Sequence, residues 1–342
     1  MPRIGRRIAG QQTQIETRYA YTVRILVTGG AGFIGSNYVK HIIDKPKNND
    51  IQVLVIDKLT YAGTLENLSG VSDKPNLEFI QGDICDSSLV EKLMSNCDRV
   101  INFAAESHVD RSIVLAEEFI STNILGTQVI LEAIKKKPSI KFIQVSTDEV
   151  YGSIESGSWD ENFPLKPNSP YAASKASADL MTLAYQKTYS LDLMISRCCN
   201  NYGPNQFPEK LIPLFITNLI QGKKIPVYGD GSNVREWIHV DDHCRGLEQI
   251  FENGKSGEVY NLGSHDEFTN LQLTNKLLNS FDYGEDMINY VADRLGHDRR
   301  YSLNFEKASK HLRYKPEISF ESGLLETIDW YKKNSSWWKT KV

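Results

Sequence analysis

The sequence predicts an α/β protein with a doubly wound parallel sheet, joined to a smaller C-terminal domain of mixed structure. Short apolar runs alternate with helical stretches as far as about residue 150, which is the pattern of β-α-β units. Beyond about residue 203 the alternation becomes irregular. We therefore assign residues 23–202 to the sheet domain, with a contribution from about 226–250, and residues 203–342 mainly to the second domain.

Each predicted strand is a short run rich in β-branched residues, and each predicted helix is a longer periodic stretch. The strands of the sheet are predicted at 23–27, 53–56, 77–80, 99–103, 142–145 and 193–196. The helices are predicted from 33 to about 40, from about 116 to 137, and from 171 to about 189. In the second domain we expect a helix from 207 to about 222 and strands at 234–240 and 258–263, and we expect residues 200–204 to end the strand before them.

Composition excludes several classes of function. A net charge of −4 argues against a general role in nucleic-acid binding, and no apolar run is long enough to span a membrane. The five cysteines lack the spacing of metal ligands, so we expect reduced thiols in a cytoplasmic protein without a metal site. Residues 1–22 contain four arginines and no apolar core, which predicts a disordered tail rather than a secretory signal.

A glycine-rich turn follows the first predicted strand and opens the first predicted helix. Gly29, Gly32 and Gly35 would allow backbone N–H groups to approach a pyrophosphate at the helix N-terminus. The next strand ends at Asp57, about 20 residues after the last glycine, where a carboxylate can bind the ribose hydroxyls of a dinucleotide. Because an acid there repels a 2′-phosphate, the pattern favours a Rossmann domain that binds NAD rather than NADP. The neighbouring Lys58 partly offsets this preference.

A second group of polar residues surrounds the end of the strand predicted at 142–145. Asp148 and Glu149 follow this strand, and ligands of open α/β sheets bind at the carboxyl ends of the strands. Tyr171 and Lys175 are four residues apart, which places them on one face of a helix. Taken alone, two adjacent acids usually lie in a solvated loop. After a dinucleotide-binding pattern, we expect them to converge with the phenol and the ammonium group in one cleft.

Eight segments of the chain together resemble the extended short-chain dehydrogenase/reductase family, and within it the enzymes that modify nucleotide sugars. The resemblance extends over about residues 23–320. The glycine motif and the Tyr-x-x-x-Lys pair mark only the superfamily, whereas the Thr-Asp-Glu triplet and the last two segments are more specific. The segments are TGGAGFIG at 28–35, DKLTYAG at 57–63, AAESHVDRS at 104–112, STDEVYG at 146–152, YAASK at 171–175, NNYGP at 200–204, FPEKLIP at 207–213 and GHDRRY at 296–301.

The resemblance implies a role for each residue of the catalytic group. Tyr171 would take the proton from O4 of the sugar during oxidation, with Lys175 lowering its pKa and binding the nicotinamide ribose. Glu149 would remove the C5 proton as the general base. Asp148 would protonate the departing hydroxyl as the general acid, and Thr147 would hydrogen-bond the sugar.

The resemblance also implies two binding sets and a homodimer formed through the helices near 116–137 and 171–189. The set for NAD comprises Gly29, Gly32, Phe33, Ile34, Gly35, Asp57, Lys58, Asp83, Ile84, Ala104, Ala105, Thr122, Tyr171, Lys175 and Asn201. The set for a nucleoside-diphosphate hexose comprises Ser107, Thr147, Asn200, Lys210, Leu211, Pro226, Tyr228, Arg235, Asn261, Arg294, His297, Asp298 and Tyr301. In a nucleotide-binding enzyme, the arginines at 235 and 294 are candidates to clamp a diphosphate. The sequence departs from the family motif at Leu295, where a proline is usual.

The implied reaction is a 4,6-dehydration, with dTDP-glucose favoured over UDP-glucose as the substrate. Oxidation at C4 makes the C5 proton acidic, water leaves across C5 and C6, and a 4-keto-6-deoxy sugar remains. A shielded pair of acids suits this reaction because it can separate two pKa values into an acid and a base. A 4-epimerase or a UDP-sugar decarboxylase of the same family is an alternative, but neither needs an acid and a base at C5 and C6. A non-catalytic dinucleotide-binding regulator would not need the catalytic group.

Overall fold

The computed structural model describes residues 23–45, 50–293 and 296–341. The tail predicted at 1–22 lies outside the described residues, as do Arg294 and Leu295. The strands are β1 (Val23–Thr28), β2 (Ile51–Asp57), β3 (Leu77–Gln81), β4 (Arg99–Asn102), β5 (Lys141–Thr147), β6 (Leu193–Cys198), β7 (Asn200–Tyr202), β8 (Ile225–Tyr228), β9 (Val234–His239), β10 (Val259–Leu262), β11 (Glu267–Thr269) and β12 (Ile288–Val291). The helices are α1 (Phe33–Ile43), α2 (Ser87–Met94), α3 (Val109–Val114), α4 (Ala116–Phe119), α5 (Thr127–Lys136), α6 (Pro170–Tyr189), α7 (Leu211–Ile220), α8 (Val240–Asn253), α9 (Asn270–Ser280), α10 (Glu306–Leu312), α11 (Phe320–Lys333) and α12 (Ser335–Lys339).

Seven parallel strands form the main sheet in the order β3-β2-β1-β4-β5-β6-β10. Its strands are apolar on both faces because helices cover both sides. In β1, Ile25 and Val27 pack into one core and Leu26 packs into the core on the opposite face. The predicted doubly wound parallel sheet is therefore confirmed.

The order of the strands fixes where a ligand can bind. The chain runs outward from β1 through β2 and β3, and then crosses back to place β4 on the other side of β1. Neighbouring connections therefore diverge at the carboxyl ends of β1 and β4, which opens a crevice there. The glycine-rich turn after β1 and the small residues after β4 lie at this crevice.

Two small sheets lie outside the main sheet, β11-β9-β7 and β12-β8. We predicted that residues 200–204 would end the strand before them, whereas residues 200–202 form β7, which pairs in parallel with β9. The reason is that β6 ends at Cys198 and the chain then leaves the main sheet for a new partner. A separate apolar core, which includes Phe215, Trp237 and Trp338, supports this part of the chain.

Two predicted helices differ from the observed ones in ways that matter for the site. The stretch from 116 to 137 consists of α4, a π-helical segment at Ile120–Gly126, and α5. The helix predicted from 207 begins only at Leu211, because Lys210 has an extended backbone and serves as its N-cap. Residues 207–210 therefore precede the helix, and Phe207, Glu209 and Lys210 line a cavity.

The division into two domains near residue 203 stays a proposal. The main sheet also takes its last strand, β10, from beyond that boundary. Among the described residues, no helix has both the length and the apolar character that crossing a bilayer requires.

Candidate active site

A continuous cleft follows the carboxyl edge of the main sheet. Its first part is a groove of about 740 Å³ beside the glycine-rich turn, β2 and β4. A middle chamber of about 270 Å³ shares Gly29 and Ala105 with this groove. A third chamber of about 350 Å³ shares Glu149 and Lys210 with the middle one and extends to β8 and β9. The shared walls show that the three cavities adjoin one another.

The glycine-rich turn forms a cradle in which side chains would not fit. Gly29 has a φ of +65°, and a Cβ there would lie 2.6 Å from the backbone nitrogen of Ala104. A Cβ at Gly35 would lie 2.3 Å from the carbonyl oxygen of Gly29. Gly32 is the N-cap residue of α1. Because it has no side chain to cap the first backbone N–H groups, the helix N-terminus stays open toward the cleft. This arrangement fits the pyrophosphate of a dinucleotide.

Asp57 joins the end of β2 to this cradle. Its carboxylate accepts hydrogen bonds from the backbone N–H groups of Ala31 at 2.9 Å and Leu59 at 2.8 Å. Lys58 does not compete for the same position, because its ammonium group pairs with Asp83 at 2.8 Å. The lysine that weakened the preference for NAD is thus partly neutralised by its neighbour.

The residues of the predicted NAD set lie along the groove and the middle chamber. The groove is lined by Gly29, Gly32, Asp57, Lys58, Asp83, Ile84, Ala104, Ala105 and Thr122. The middle chamber is lined by Phe33, Ile34, Gly35, Tyr171, Lys175 and Asn201. His243 contacts the side-chain oxygen of Asn201 at 2.9 Å, and the amide of Asn201 donates to the carbonyl of Cys199 at 3.0 Å. The structure therefore brings the whole predicted set together in one place.

The acids of the predicted catalytic group follow β5. Thr147 ends this strand and caps the short 3-10 turn at Asp148–Tyr151, where its hydroxyl accepts from the backbone N–H of Glu149 at 3.3 Å. The same hydroxyl donates to the carboxyl of Asp148 at 3.1 Å. Asp148 is buried, and its second carboxyl oxygen has no partner among the described residues. Glu149 is half-buried and faces both the middle chamber and the third chamber.

The environment of Asp148 favours its protonated form. Burial raises its pKa well above the usual range, and the nearby charges of Glu149 and Glu236 raise it further. The hydrogen bond from Thr147 opposes these effects. The surroundings of Asp148 therefore suit a neutral, protonated carboxyl group.

We expect Asp148→Asn to stabilise the folded protein at neutral pH. An unfolded aspartate titrates near pH ~3.9, and folding raises this value, so the buried side chain loses stability as the pH rises through that window. A permanently neutral side chain avoids this loss, which amounts to about 1.4 kcal/mol for each pKa unit. Urea unfolding at neutral pH and at pH about 4 measures the effect. The gain in free energy of unfolding should become smaller as the pH falls toward the pKa of an unfolded aspartate. Equal or lower stability of the variant at neutral pH would contradict the assignment.

The helix α6 brings the phenol and the ammonium group into the same chamber. Ser169 caps this helix by accepting from the backbone N–H of Ala172 at 3.1 Å, so the helix starts directly before Tyr171. Lys175 follows one turn later on the same face, and both side chains are buried. Thr147, Asp148, Glu149, Tyr171 and Lys175 all line the middle chamber.

That Lys175 lowers the pKa of Tyr171 stays a prediction. The ammonium group of Lys175 donates to the carbonyl of Val145 at 2.6 Å. Burial raises the pKa of Tyr171 well above its usual range, and the charges of Glu149 and Asp148 add to this, while Thr147 opposes it. The physical reason is that the phenol faces two carboxyl groups in a buried chamber. A neutral Asp148 would remove one of these charges.

A buried ion pair lies behind Lys175. Asp179, one helical turn further along α6, accepts from Arg197 at 2.9 Å, and both side chains are at most 3% exposed. Arg197 also donates to the hydroxyl of Tyr151 at 2.8 Å. Burial lowers the pKa of Lys175, and the charge of Asp179 acts against that lowering. The carboxylate of Asp179 therefore favours the charged form of the ammonium group.

Most of the predicted substrate set lines the middle and third chambers. These residues are Ser107, Thr147, Asn200, Lys210, Leu211, Pro226, Tyr228, Arg235, His297 and Tyr301. The guanidinium group of Arg235 lies 4.1 Å from the ring centre of Tyr301 and donates to the carbonyl of Asp298 at 2.9 Å. Asp298 also accepts from the hydroxyl of Tyr301 at 2.7 Å. Asp298 thus lies behind the chamber wall and holds two of its residues in place.

Asn261, like Asp298, is a described residue of the substrate set that does not line the three chambers. It belongs to β10, and its side chain accepts from Tyr151 at 2.9 Å and donates to the carbonyls of Trp159 at 3.0 Å and Asn304 at 3.1 Å. With these bonds made inside the core, its amide is not presented to the three chambers. Arg294 lies outside the described residues.

Sequence reasoning missed Tyr61 and Glu209, which meet across the cleft. The hydroxyl of Tyr61 donates to the carboxylate of Glu209 at 3.0 Å. Both residues stand in motifs that carried the resemblance, but their contact joins positions 148 residues apart. The one hint in the sequence was that Glu209, an acid without an assigned role, directly precedes the predicted substrate residue Lys210.

The chain is similar to known proteins over most of its length. The family described as GDP-mannose 4,6 dehydratase matches residues 26–327. A dTDP-glucose 4,6-dehydratase of Streptomyces antibioticus is 53% identical over 320 residues, which cover 93% of this chain and 95% of that protein. The crystal structure of the dTDP-glucose 4,6-dehydratase DesIV of Streptomyces venezuelae, with NAD bound, has a TM-score of 0.90 at 51% identity and covers 94% of this chain and 100% of that one.

A structure with a different named activity has the same fold at lower identity. The UDP-glucose 4-epimerase of Thermotoga maritima has a TM-score of 0.84 at 32% identity, and the match covers 92% of this chain and 100% of that one. Fold likeness alone therefore does not separate dehydration from epimerisation, and the residues of the site have to do so.

Proposed function

This chain belongs to the GDP-mannose 4,6-dehydratase family, and several relatives about half identical to it are dTDP-glucose 4,6-dehydratases. We propose that it converts dTDP-glucose to dTDP-4-keto-6-deoxyglucose and water. The chain is then an NAD-dependent hydro-lyase. The observation that carries the proposal is the presence of Asp148 and Glu149 in one chamber with Tyr171 and Lys175. An oxidation couple and an acid–base couple at the same place are what this reaction needs.

The residues present fit NAD. The glycine cradle leaves room for a pyrophosphate, and Asp57 ends β2 where the ribose hydroxyls of a dinucleotide are bound. When bound, NAD supplies an acceptor for the hydride of C4 and returns a hydride to C6. The cofactor ends as it began, so we expect the protein to retain it between turnovers. Lys175, the neighbour of Tyr171 on α6, would bind the nicotinamide ribose.

Each catalytic residue has one task in the proposed reaction. Tyr171 takes the proton of the O4 hydroxyl as C4 becomes a ketone. The ketone acidifies the proton on C5, and Glu149 removes it. Asp148, which burial favours in its protonated form, gives its proton to the departing hydroxyl of C6. Thr147, whose hydroxyl contacts the carboxyl group of Asp148 and the backbone N–H of Glu149, would hydrogen-bond the sugar.

The third chamber supports recognition of a nucleoside diphosphate. It places Lys210 and Arg235 beside the aromatic rings of Tyr228 and Tyr301. Cations bind phosphate oxygens, and aromatic side chains pack against bases and sugars. The buried position of Arg235 keeps its guanidinium group in a fixed orientation, since Val234 and Asp298 accept its hydrogen bonds.

The mass of the product tests the proposal. Purified protein with NAD and dTDP-glucose should give a sugar nucleotide that is lighter by one water, with no net accumulation of reduced cofactor. The same reaction with UDP-glucose tests the nucleotide, and we expect much slower turnover. A product of unchanged mass would indicate epimerisation instead.

We also propose a setting for the enzyme. Its product would enter the synthesis of deoxysugars such as rhamnose, and the enzyme would act in the cytoplasm, which agrees with the five free cysteines. A homodimer is supported by exposed apolar side chains on the helices near 116–137 and 171–189, among them Ile120, Leu125 and Leu180, which are 50–58% exposed. Sedimentation of the purified chain tests this assembly.

A further inference from the structure

Glu209 lies where three parts of the chain meet around the cleft. It belongs to residues 207–210, which precede α7, and it lines both the middle and the third chambers. One carboxylate oxygen accepts from Tyr61, which stands in the loop after β2. The other lies 3.4 Å from the guanidinium group of Arg111 and 3.6 Å from the ring of His108, both near the start of α3.

Tyr61 and Arg111 form one wall of the groove beside the glycine-rich turn. The guanidinium group of Arg111 lies 3.6 Å from the ring centre of Tyr61, so the two side chains stack. The ring of Phe207 packs edge-on against Tyr61 at 5.4 Å. The wall of the groove is therefore held by residues 207–210 from across the cleft.

The residue after Glu209 is Lys210, which lies on the substrate side. Its ammonium group donates to the carbonyl of Ser107 at 2.8 Å, and it lines the third chamber. Adjacent residues of one short segment thus contact the groove wall and the proposed diphosphate chamber. Residues 207–210 lead into α7, and the backbone N–H of Leu214 donates to the carbonyl of Lys210 at 2.8 Å. The side chains of this segment make the contacts that link it to the groove wall.

We propose that Glu209, together with Tyr61 and Arg111, forms a clasp that slows the release of NAD when the nucleotide of the substrate is bound. The proposal rests on the proposed function and adds a positioning residue to it. A diphosphate that engages Lys210 fixes residues 207–210, and Glu209 then fixes the wall of the groove. The reaction gives the clasp a purpose, since the same cofactor must return its hydride before it can leave. By linkage, bound NAD favours binding of the nucleotide to the same extent.

The test measures the release of NAD rather than turnover. The full chain is loaded with radiolabelled NAD and chased with unlabelled NAD, with and without saturating dTDP. In the wild type we expect dTDP to slow the release by about fivefold or more, within the usual range of coupling between two sites. The ratio compared between variants is the rate of NAD release without dTDP divided by the rate with dTDP. Glu209→Gln keeps the size of the side chain and removes its charge, and in this variant the ratio should lose most of its excess over one. Tyr61→Phe should lose part of it, and the double variant should lose all of it.

A matched control is Glu321→Gln, which removes an exposed partner of Lys276 at 2.9 Å and should keep the wild-type ratio. Thermal unfolding verifies that each variant is folded. If dTDP binds but the ratio is one in the wild type, or is unchanged in both Glu209→Gln and Tyr61→Phe, the clasp is refuted and the proposed function stands. If calorimetry shows that dTDP does not bind the wild type at all, the proposed substrate is wrong and the inference falls with it.

Discussion

A Glu149→Gln variant should lose at least about 100-fold in the rate of water elimination, because a positioned general base contributes about 10²–10⁴-fold. Oxidation at C4 should survive, since Glu149 acts only after the ketone has formed. A single turnover with dTDP-glucose should therefore still produce the absorbance of reduced nicotinamide, which then persists. The two steps are measured separately, the first by absorbance and the second by the mass of the sugar.

Asp148→Asn is the matched comparison for this variant. It should also fail to eliminate water, but with Glu149 intact it should still exchange the C5 proton with deuterated solvent. Glu149→Gln should not exchange it. If Glu149→Gln loses oxidation and elimination together, or if it still exchanges the C5 proton, Glu149 is not the base at C5.

The parts of the site that could be predicted from the sequence are those whose geometry is local. The glycines at 29, 32 and 35 lie in one turn, and their spacing alone determines the cradle. Tyr171 and Lys175 share a face because a helix repeats every 3.6 residues. Asp57 follows a strand whose end is fixed by the same sheet as the glycine turn. In each case the positions of the site residues are set by one secondary-structure element or by two strands that pair with each other.

The parts that could not be predicted depend on contacts between distant segments. The predicted helix from residue 207 overlooked the extended backbone of Lys210, and with it the reach of Glu209 across the cleft. Asn261 was placed with the substrate by resemblance, whereas three partners from separate segments of the chain hold its amide in the core. The contact of Lys175 with Val145 likewise joins α6 to β5. No periodicity within one segment encodes such pairs.

A Tyr171→Phe variant should not reduce the cofactor, because no group then accepts the O4 proton while C4 is oxidised. We expect the single-turnover rate to fall by about 10²–10⁴-fold, the usual contribution of one positioned proton transfer. The phenylalanine keeps the ring that packs edge-on against Phe119 at 6.3 Å, so the fold should be unchanged and the variant should still bind NAD. Thermal unfolding and calorimetry with NAD verify both.

The dependence on pH provides an independent readout for the same residue. Burial and the charge of Glu149 raise the pKa of Tyr171, so the phenolate fraction and the rate of C4 oxidation should rise with pH in the wild type. Glu149→Gln removes one of the charges that raise this pKa, so the rise should move to lower pH in that variant. Any residual oxidation in Tyr171→Phe should not rise with pH in this way. Normal reduction of the cofactor by Tyr171→Phe, with its pH dependence intact, would assign the proton transfer to another group in the chamber.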